Sequence, residues 1–303
     1  MRYQQILDAV HATVSPLIGC GRVSDYIPGL AAVDPRRFGL ALAAADGAVY
    51  GAGDWQTAFS IQSVSKVFSL ALVLSRDNDA IWRRVGREPS GSPFNSLQQL
   101  EHDRGVPRNP FVNAGALVVV DHVLTSTGDP SLAVLDLLRT EAGNPTIDID
   151  EQMAKSEAEH RHRNAALAHL LASYGNLANP VDAVLDQYTA QCAIAMSCAD
   201  LARAGGFLAR HGLRADGSRL LSRSDAKRLN ATMLTCGTYD SAGEFAYRVG
   251  LPAKSGVGGG LLAVVPNRCT LAVWGPGLDE CGNSCAGRAA LDTFTTLTGW
   301  SVF

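Results

Sequence analysis

Short apolar runs of the kind that form β-strands lie near the two ends of this 303-residue chain, and the long stretch between them has helical spacing. Near the N-terminus, the runs 38–43 and 48–53 flank Asp46-Gly47, a dipeptide that favours a tight hairpin turn. Consecutive strands with short links pair antiparallel, so both chain ends are expected to share one antiparallel sheet. The later strand runs are 246–251, 260–265 and 269–274.

Helical patterns account for most of the remaining chain, with Gly, Asn or Pro between them. Segment 62–74 is apolar nearly all round, which predicts a buried helix. We predict an α/β fold of the α+β type, in which an antiparallel sheet flanked by helices carries an inserted all-helical lobe. The chain is then a single domain, 1–303, with an α/β lobe at about 1–62 and 235–303 and a helical lobe at about 63–234. The predicted helices are 2–15, 62–74, 113–124, 131–139, 164–173, 182–196, 199–210, 222–233 and 286–297.

Composition excludes several classes of protein. The chain is 47% hydrophobic and 18% charged, with a formal net charge of -3, which argues against a disordered chain and against a nucleic-acid partner. No apolar run reaches the roughly 18 to 20 residues of a membrane span, and the first residues lack the basic start and unbroken apolar run of a signal peptide. We therefore expect a cytoplasmic protein without a membrane partner.

The seven cysteines and seven histidines do not predict a metal site. Cys281 and Cys285 lie four residues apart, but no second Cys pair or nearby His completes a zinc site. His160 and His162 stand close to Glu157, in a stretch that reads as a solvated helix entry. No metal and no cofactor are expected.

Lysine is scarce in this chain, with four lysines against 22 arginines. Arginine stays charged at ordinary pH, whereas a buried lysine can lose its proton and act as a base. Lys66 and Lys254 stand in candidate motifs, while Lys155 and Lys227 have no assigned role.

Ser63 and Lys66 form a Ser-x-x-Lys pair at the start of the predicted buried helix. Residues three apart share a helix face, so the amine is expected to reach the hydroxyl, which needs a base to become a nucleophile. The same spacing recurs at Ser224 and Lys227, but in a polar stretch that predicts an exposed helix start. The apolar surroundings of Lys66, rather than the spacing, single out the first copy.

Segment 251–260 is a second candidate, because Lys254-Ser255-Gly256 precedes further glycines. Glycine lets a backbone approach a ligand closely. Since the lysine precedes the glycines, the segment does not fit a Walker phosphate loop. An ordinary glycine-rich hairpin is the alternative.

A Ser-x-x-Lys pair before a helical segment and a Lys-Ser-Gly on a later strand resemble the arrangement in serine β-lactamases and penicillin-binding proteins. More specifically, stretches from about residue 20 to 270 resemble the serine-dependent glutaminase family, in the family's order. No ankyrin repeats or regulatory extension follow, so the chain looks like the bare catalytic domain. The resembling stretches are 25–28, 60–66, 93–96, 109–116, Ser156-Glu157 with Arg163-Asn164, Tyr188 with Cys192, 236–240 and 252–260.

This resemblance implies hydrolysis of L-glutamine to L-glutamate and ammonia through an acyl-enzyme. It implies that Ser63 is the nucleophile and Lys66 its activating base, and that the backbone N–H groups of Ser63 and Val257 form the oxyanion hole. Either Tyr188 or Tyr239 would relay a proton to the leaving ammonia, and the sequence does not decide between them. The implied substrate-binding residues are Tyr26, Ser63, Asn113, Glu157, Asn164, Tyr188, Tyr239 and Val257.

The residue types suit free glutamine, which offers an ammonium and a carboxylate. Glu157 is a plausible partner for the ammonium, and the amides of Asn113 and Asn164 can accept from the ammonium or donate to the carboxylate. The resemblance also implies a homo-oligomer, either a dimer or a tetramer. Two alternatives stay open: a β-lactamase or D-Ala-peptidase type of acyl hydrolase, and a non-catalytic amino-acid-binding module.

Overall fold

The described residues, 2–76 and 80–303 of a computed structural model, form eight β-strands. They are β1 (Gly39–Ala44), β2 (Val49–Gly53), β3 (Phe59–Ser60), β4 (Asp148–Ile149), β5 (Ile194–Met196), β6 (Ala253–Ser255), β7 (Gly260–Val265) and β8 (Cys269–Trp274). The large sheet is antiparallel and has the spatial order β2-β1-β8-β7-β6. The first and last segments of the chain therefore build one sheet, as the sequence predicts.

The hairpin at Asp46-Gly47 is confirmed. β1 and β2 pair antiparallel with Ala43 opposite Val49, and Gly47 takes a φ of +91°, a value that glycine adopts without strain. Trp274 at the end of β8 lies opposite Gly39 of β1 and Gly260 of β7, so β8 occupies the centre of the sheet.

Fourteen α-helices lie in the described residues, and some of them flank the large sheet, as predicted. They are α1 (Tyr3–Val14), α2 (Pro28–Ala31), α3 (Ser65–Arg76), α4 (Leu97–His102), α5 (Asn113–Thr127), α6 (Pro130–Ala142), α7 (Glu151–Glu159), α8 (His162–Ser173), α9 (Val181–Cys192), α10 (Cys198–Ala204), α11 (Gly206–Ala209), α12 (Arg223–Cys236), α13 (Ala242–Arg248) and α14 (Cys285–Thr298). Within 2–76 and 80–303, no helix combines the length and the apolar character that crossing a bilayer requires.

The prediction of a strand at 246–251 is wrong, because α13 extends through Arg248 and the strand of the large sheet is β6. Phe245 and Val249 are buried four residues apart, which is helical spacing, while Tyr247 between them is 85% exposed. The short apolar run therefore belongs to a helix face that packs on the sheet, and Gly250 with a φ of +64° follows it.

The predicted helix 182–196 also differs from the structure, because α9 ends at Cys192 and β5 follows it directly. Ile194 and Met196 are buried with period two, which is the spacing of a strand. β5 pairs with β3 on one side and β4 on the other, and these three form a second, small sheet. The middle of the chain is therefore helical apart from two short strands.

Alternate residues of the large sheet face two separate apolar clusters. Leu40, Leu42 and Leu271 pack with α1 and α14, whereas Ala41 and Leu262 pack on the opposite face with α10 and α3. α3 is buried along ten consecutive residues from Ser65 to Leu74, as its apolar composition predicts. Its N-terminal end, next to Ser63, is consequently held rigidly by the core.

Asp121 of α5 is buried, and its side chain links this helix to a loop by hydrogen bonds. Its carboxylate accepts from Arg84 at 2.5 Å, from the backbone N–H groups of Ala178 and Asn179, and from the Asn179 side chain. It ties the loop before α9 to the centre of the helical region.

We expect Asp121→Ala to lower the free energy of unfolding by about 2–4 kcal/mol, because it removes the ion pair with the half-buried Arg84 and the acceptor shared by the N–H groups of Ala178 and Asn179. Glu244→Ala, which removes an exposed ion pair with Arg248 on α13, should change the same quantity by less than about 1 kcal/mol. Urea unfolding of both variants measures the difference, and equal losses would contradict the role given to Asp121.

Candidate active site

The nine predicted site residues come from eight separate segments of the chain, because Ser63 and Lys66 share one. Ser63 lies in a 3₁₀ turn, 62–64, directly before α3, and Tyr239 begins a second 3₁₀ turn, 239–241. The others occupy helices or the loops that follow or precede them: Tyr26 before α2, Lys66 in α3, Asn113 at the start of α5, Glu157 in α7, Asn164 in α8, Tyr188 in α9 and Val257 between β6 and β7.

A cavity of about 100 Å³ brings seven of the nine together. Lys66 and Tyr239 stand outside its lining and contact residues that form it. Tyr26 is 52% exposed and lies at the rim, whereas the other six predicted residues in the lining are buried or half-buried. The predicted residues in the lining are Tyr26, Ser63, Asn113, Glu157, Asn164, Tyr188 and Val257.

The backbone before Ser63 has an unusual conformation. Gln62 has a φ of +50°, in the left-handed region that residues with a side chain rarely adopt. Such conformations persist where the surrounding structure holds them and are concentrated at functional sites. The Gln62 side chain donates to Ser60 Oγ at 2.9 Å, and Ser60 in turn donates to the Cys192 carbonyl, which fixes the turn that carries Ser63.

Lys66 is buried, and its amine has two acceptors. Nζ donates to Asn113 Oδ1 at 2.7 Å and to the Phe111 carbonyl at 3.2 Å. Burial lowers the pKa of Lys66 to about 8, although the charge of Glu157 acts in the opposite direction. An amine of this pKa is partly neutral near physiological pH, and the neutral form keeps one lone pair after donating two N–H groups.

Asn113 connects three of the other residues by hydrogen bonds. Its Oδ1 accepts from Lys66 and from the Tyr188 hydroxyl at 3.3 Å, and its Nδ2 donates to Asn164 Oδ1 at 2.9 Å. Burial raises the pKa of Tyr188 well above its usual value, so the hydroxyl stays protonated and able to donate.

Glu157 places a carboxylate inside the cavity without a full set of partners. The residue is 6% exposed, and its Oε1 has no hydrogen-bond partner in the described part of the chain. Burial raises the pKa of Glu157 to about 7, while a hydrogen bond from Gln62 and the nearby His160 and Lys66 favour the ionised form. A buried, unpaired carboxylate oxygen that faces a cavity suits a cationic ligand group.

The loop after β6 packs directly against the turn of Ser63. A Cβ built on Gly256 would lie 2.7 Å from the Ile61 carbonyl and 3.3 Å from the Ser63 nitrogen, so only glycine fits there. Among the backbone hydrogen bonds that the described residues form outside helices and strands, none has the N–H group of Ser63 or Val257 as its donor. Two N–H groups are thus available close to the Ser63 side chain.

Tyr239 reaches the same region from the other side. Its φ is +59°, again in the left-handed region, and its hydroxyl donates to the Ser255 carbonyl at 3.3 Å and interacts with the Ser63 side chain. Burial raises the pKa of Tyr239, so this hydroxyl also stays protonated.

Six further residues line the cavity and are not among the predicted site residues. Cys192 is one of them, and burial raises the pKa of its thiol to about 12, so it is present as a neutral thiol and not as a nucleophilic thiolate. Gln62 directly precedes the candidate nucleophile, which is the one local signal that marks it. The six are Gln62, Phe94, Asn95, His160, Arg163 and Cys192.

The second Ser-x-x-Lys copy is exposed, as predicted. Ser224 and Lys227 lie in the first turns of α12 with their side chains in solvent, far from the enclosed environment of Lys66. Among the described residues, no three His, Cys, Asp or Glu side chains are grouped in a way that would ligate a metal ion.

Comparison with known proteins places this geometry in a family. A family model described as Glutaminase matches residues 21–303. A glutaminase of Streptomyces coelicolor is 65% identical over 99% of this chain and 98% of its own length, and one of Paraburkholderia phytofirmans is 52% identical over the full length of both chains.

Solved structures agree with the sequence relatives. The probable glutaminase ybaS superposes with a TM-score of 0.93 at 36% identity, covering 99% of this chain and 97% of that one. A probable glutaminase from Bacillus subtilis, complexed with 6-diazo-5-oxo-L-norleucine, has a TM-score of 0.89 at 32% identity over 100% and 97% of the two chains. These neighbours confirm the predicted β-lactamase-like arrangement of sheet and helices. The chain belongs to the glutaminase family.

Proposed function

We propose that this protein hydrolyses L-glutamine to L-glutamate and ammonia through an acyl-enzyme on Ser63. The observation that carries the proposal is the setting of Lys66, whose enclosed amine donates to Phe111 and Asn113 three residues after a serine. Because both N–H groups of the neutral amine donate to these acceptors, its lone pair is available to accept the Ser63 proton.

The proposed reaction has two halves. In the first, Lys66 takes the Ser63 proton, Oγ bonds to the side-chain amide carbon of glutamine, and the C–N bond breaks as the leaving nitrogen gains a proton. In the second, water gives one proton to the tyrosinate that protonated the leaving nitrogen and bonds to the ester carbon, the C–Oγ bond breaks, and glutamate leaves as Lys66 returns the proton to Ser63. Tyr188 and Tyr239 both offer protonated hydroxyls as the donor to ammonia.

The free N–H groups of Ser63 and Val257 support an oxyanion hole for both halves of the reaction. The unpartnered Glu157 oxygen supports recognition of the substrate ammonium. The linked amides of Asn113 and Asn164 supply donors and acceptors for the remaining polar groups, and Tyr26 at the rim completes the binding set.

The direct test mixes the purified chain with L-glutamine and measures ammonia and glutamate. Both products should appear in equal amounts, while nitrocefin, a β-lactamase substrate, should remain intact. Nitrocefin cleavage without ammonia release would favour the acyl hydrolase alternative, and glutamine binding without either product would favour the binding module.

The rate should depend on pH through both titrating groups of the site. The reaction needs Lys66 in its neutral form and Glu157 in its ionised form. Burial lowers the pKa of Lys66 to about 8 and raises the pKa of Glu157 to about 7. A plot of log kcat/KM against pH should therefore rise with a slope of about 1 between the two values and steepen towards about 2 below the lower one.

Glu157→Gln is the matched variant for this profile. It removes the lower titration, so the slope should stay near 1 at acid pH, and KM should rise because an amide pairs weakly with an ammonium. Steady-state kinetics from pH 5.5 to 9 give both quantities. An acid limb as steep as that of the wild-type enzyme would exclude Glu157 as the lower-pKa group.

We also propose the coarser organisation implied by the resemblance: an α/β lobe at about 1–62 and 235–303, a helical lobe at about 63–234, a homo-oligomeric state and a cytoplasmic location. The division is supported by the origin of the large sheet, whose strands lie in 39–53 and 253–274. Light scattering of the purified chain tests the oligomeric state.

A further inference from the structure

Lys254 is a buried amine for which the proposed reaction has no direct use. It is 0% exposed, it does not line the cavity, and no carboxylate of the described residues forms an ion pair with it. Retaining an amine in such a place is costly unless its N–H groups have acceptors. Its contacts therefore indicate what it holds in position.

Those acceptors are two backbone carbonyls. Nζ donates to the Gly237 carbonyl at 3.0 Å and to the carbonyl of Ser255. Burial and the neighbouring Lys66 lower the pKa of Lys254, and even the neutral amine has the two N–H groups that this pair of acceptors needs.

Both carbonyls belong to segments that position Tyr239. Gly237 lies two residues before it, and the Ser255 carbonyl is the acceptor of the Tyr239 hydroxyl itself. The Lys254 nitrogen also lies 4.5 Å from the centre of the Tyr239 ring. The amine thus touches the ring and fixes the acceptor of its hydroxyl, while Tyr239 keeps a φ of +59° that the turn alone would not favour.

We propose that Lys254 is a positioning residue, which holds the Tyr239 hydroxyl next to Ser63 by fixing the Ser255 carbonyl and the Tyr239 ring. The role rests on the proposed function, because it has an effect on rate only if Ser63 and Tyr239 take part in the reaction. A methionine at 254 fills a similar volume but donates nothing, so the hydroxyl would lose its fixed acceptor.

The test is a double-mutant cycle on kcat for glutamine with the full chain. Lys254→Met should lower kcat by about 10²-fold with KM within about threefold, as expected when a positioned polar group is lost. Lys227→Met, on the exposed second copy of the motif, is the control and should keep wild-type kcat. The folded fraction of each variant, measured by circular dichroism, corrects for loss of protein.

The readout that separates positioning from general stability is coupling with Tyr239→Phe. If Lys254 acts through the hydroxyl, the double variant should be no more than about threefold slower than Tyr239→Phe alone. The proposal would be overturned if the loss of kcat in the double variant equalled the product of the two single losses. A wild-type kcat for either Lys254→Met or Tyr239→Phe would also overturn it.

Two further controls keep the outcome decisive. If Lys254→Met does not fold, Lys254→Gln, whose shorter amide reaches at most one carbonyl, replaces it; a loss of about tenfold or more supports the proposal, and wild-type kcat overturns it. A wild-type chain that releases no ammonia overturns the proposed function together with this role. Ammonia release that is lost in Ser63→Ala but kept in Lys254→Met overturns the role of Lys254 alone.

Discussion

Ser63→Ala is expected to lower kcat for glutamine hydrolysis by about 10⁴-fold or more while leaving glutamine binding nearly intact. The substitution removes the atom that forms the acyl bond, and no other nucleophile in the cavity replaces it. The Cys192 thiol is held neutral by a pKa of about 12. We expect binding to depend on Glu157, Asn113 and the other lining residues, all of which the substitution leaves in place.

The two parts of this expectation need separate measurements. A coupled assay for glutamate gives kcat, and isothermal titration calorimetry of the inactive variant gives Kd, which should lie within about threefold of the wild-type KM. Ser224→Ala, in the exposed copy of the motif, is the matched control and should change neither. A Ser63→Ala enzyme that keeps near-normal turnover would falsify the acyl-enzyme mechanism.

The choice between the two Ser-x-x-Lys copies shows how much of the site follows from the sequence. Spacing is identical in both, and only the apolar neighbours of Lys66 predicted that it is buried. The structure agrees, with Lys66 enclosed beside Asn113 and Lys227 in solvent. Burial of a helix can be predicted from composition because an apolar surface all round has no stable place in water.

The contacts within the site could not be predicted in the same way. Asn113 forms hydrogen bonds with Tyr188 and Asn164, which lie 75 and 51 residues away in the sequence. These contacts depend on the packing of three helices. The left-handed conformations of Gln62 and Tyr239 have no local sequence signal, because neither residue type favours them. Only the family resemblance, read residue by residue, placed Tyr239 at the site.

The errors in the fold prediction have a similar physical origin. The run 246–251 is too short for its period to be read, since apolar residues four apart and two apart both occur within it. The final residues of α9 pass into β5 without a breaker, so the helix was predicted to continue to 196. In both places tertiary contacts decide, because the first run packs as a helix face on the large sheet and the second segment pairs with β3 and β4 in the small sheet.

Lys66→Arg should lower kcat by about 10³- to 10⁴-fold, although it keeps a positive charge and a hydrogen-bond donor at this position. Arginine does not release its proton in proteins, so it has no lone pair to accept the proton of Ser63. Lysine can do so because burial brings the pKa of Lys66 down to about 8.

The matched control is Lys227→Arg, which makes the same change on the exposed copy and should leave kcat unchanged. Comparing Lys66→Met with Lys66→Arg separates the two contributions of the amine. The methionine variant lacks both the charge and the base, whereas the arginine variant lacks only the base. If deprotonation of Ser63 is what Lys66 supplies, Lys66→Met and Lys66→Arg should be about equally slow when corrected for the folded fraction. An Arg variant that retains a tenth or more of wild-type kcat would show that Lys66 acts as a fixed charge, and the base would then have to be sought among the other groups around Ser63.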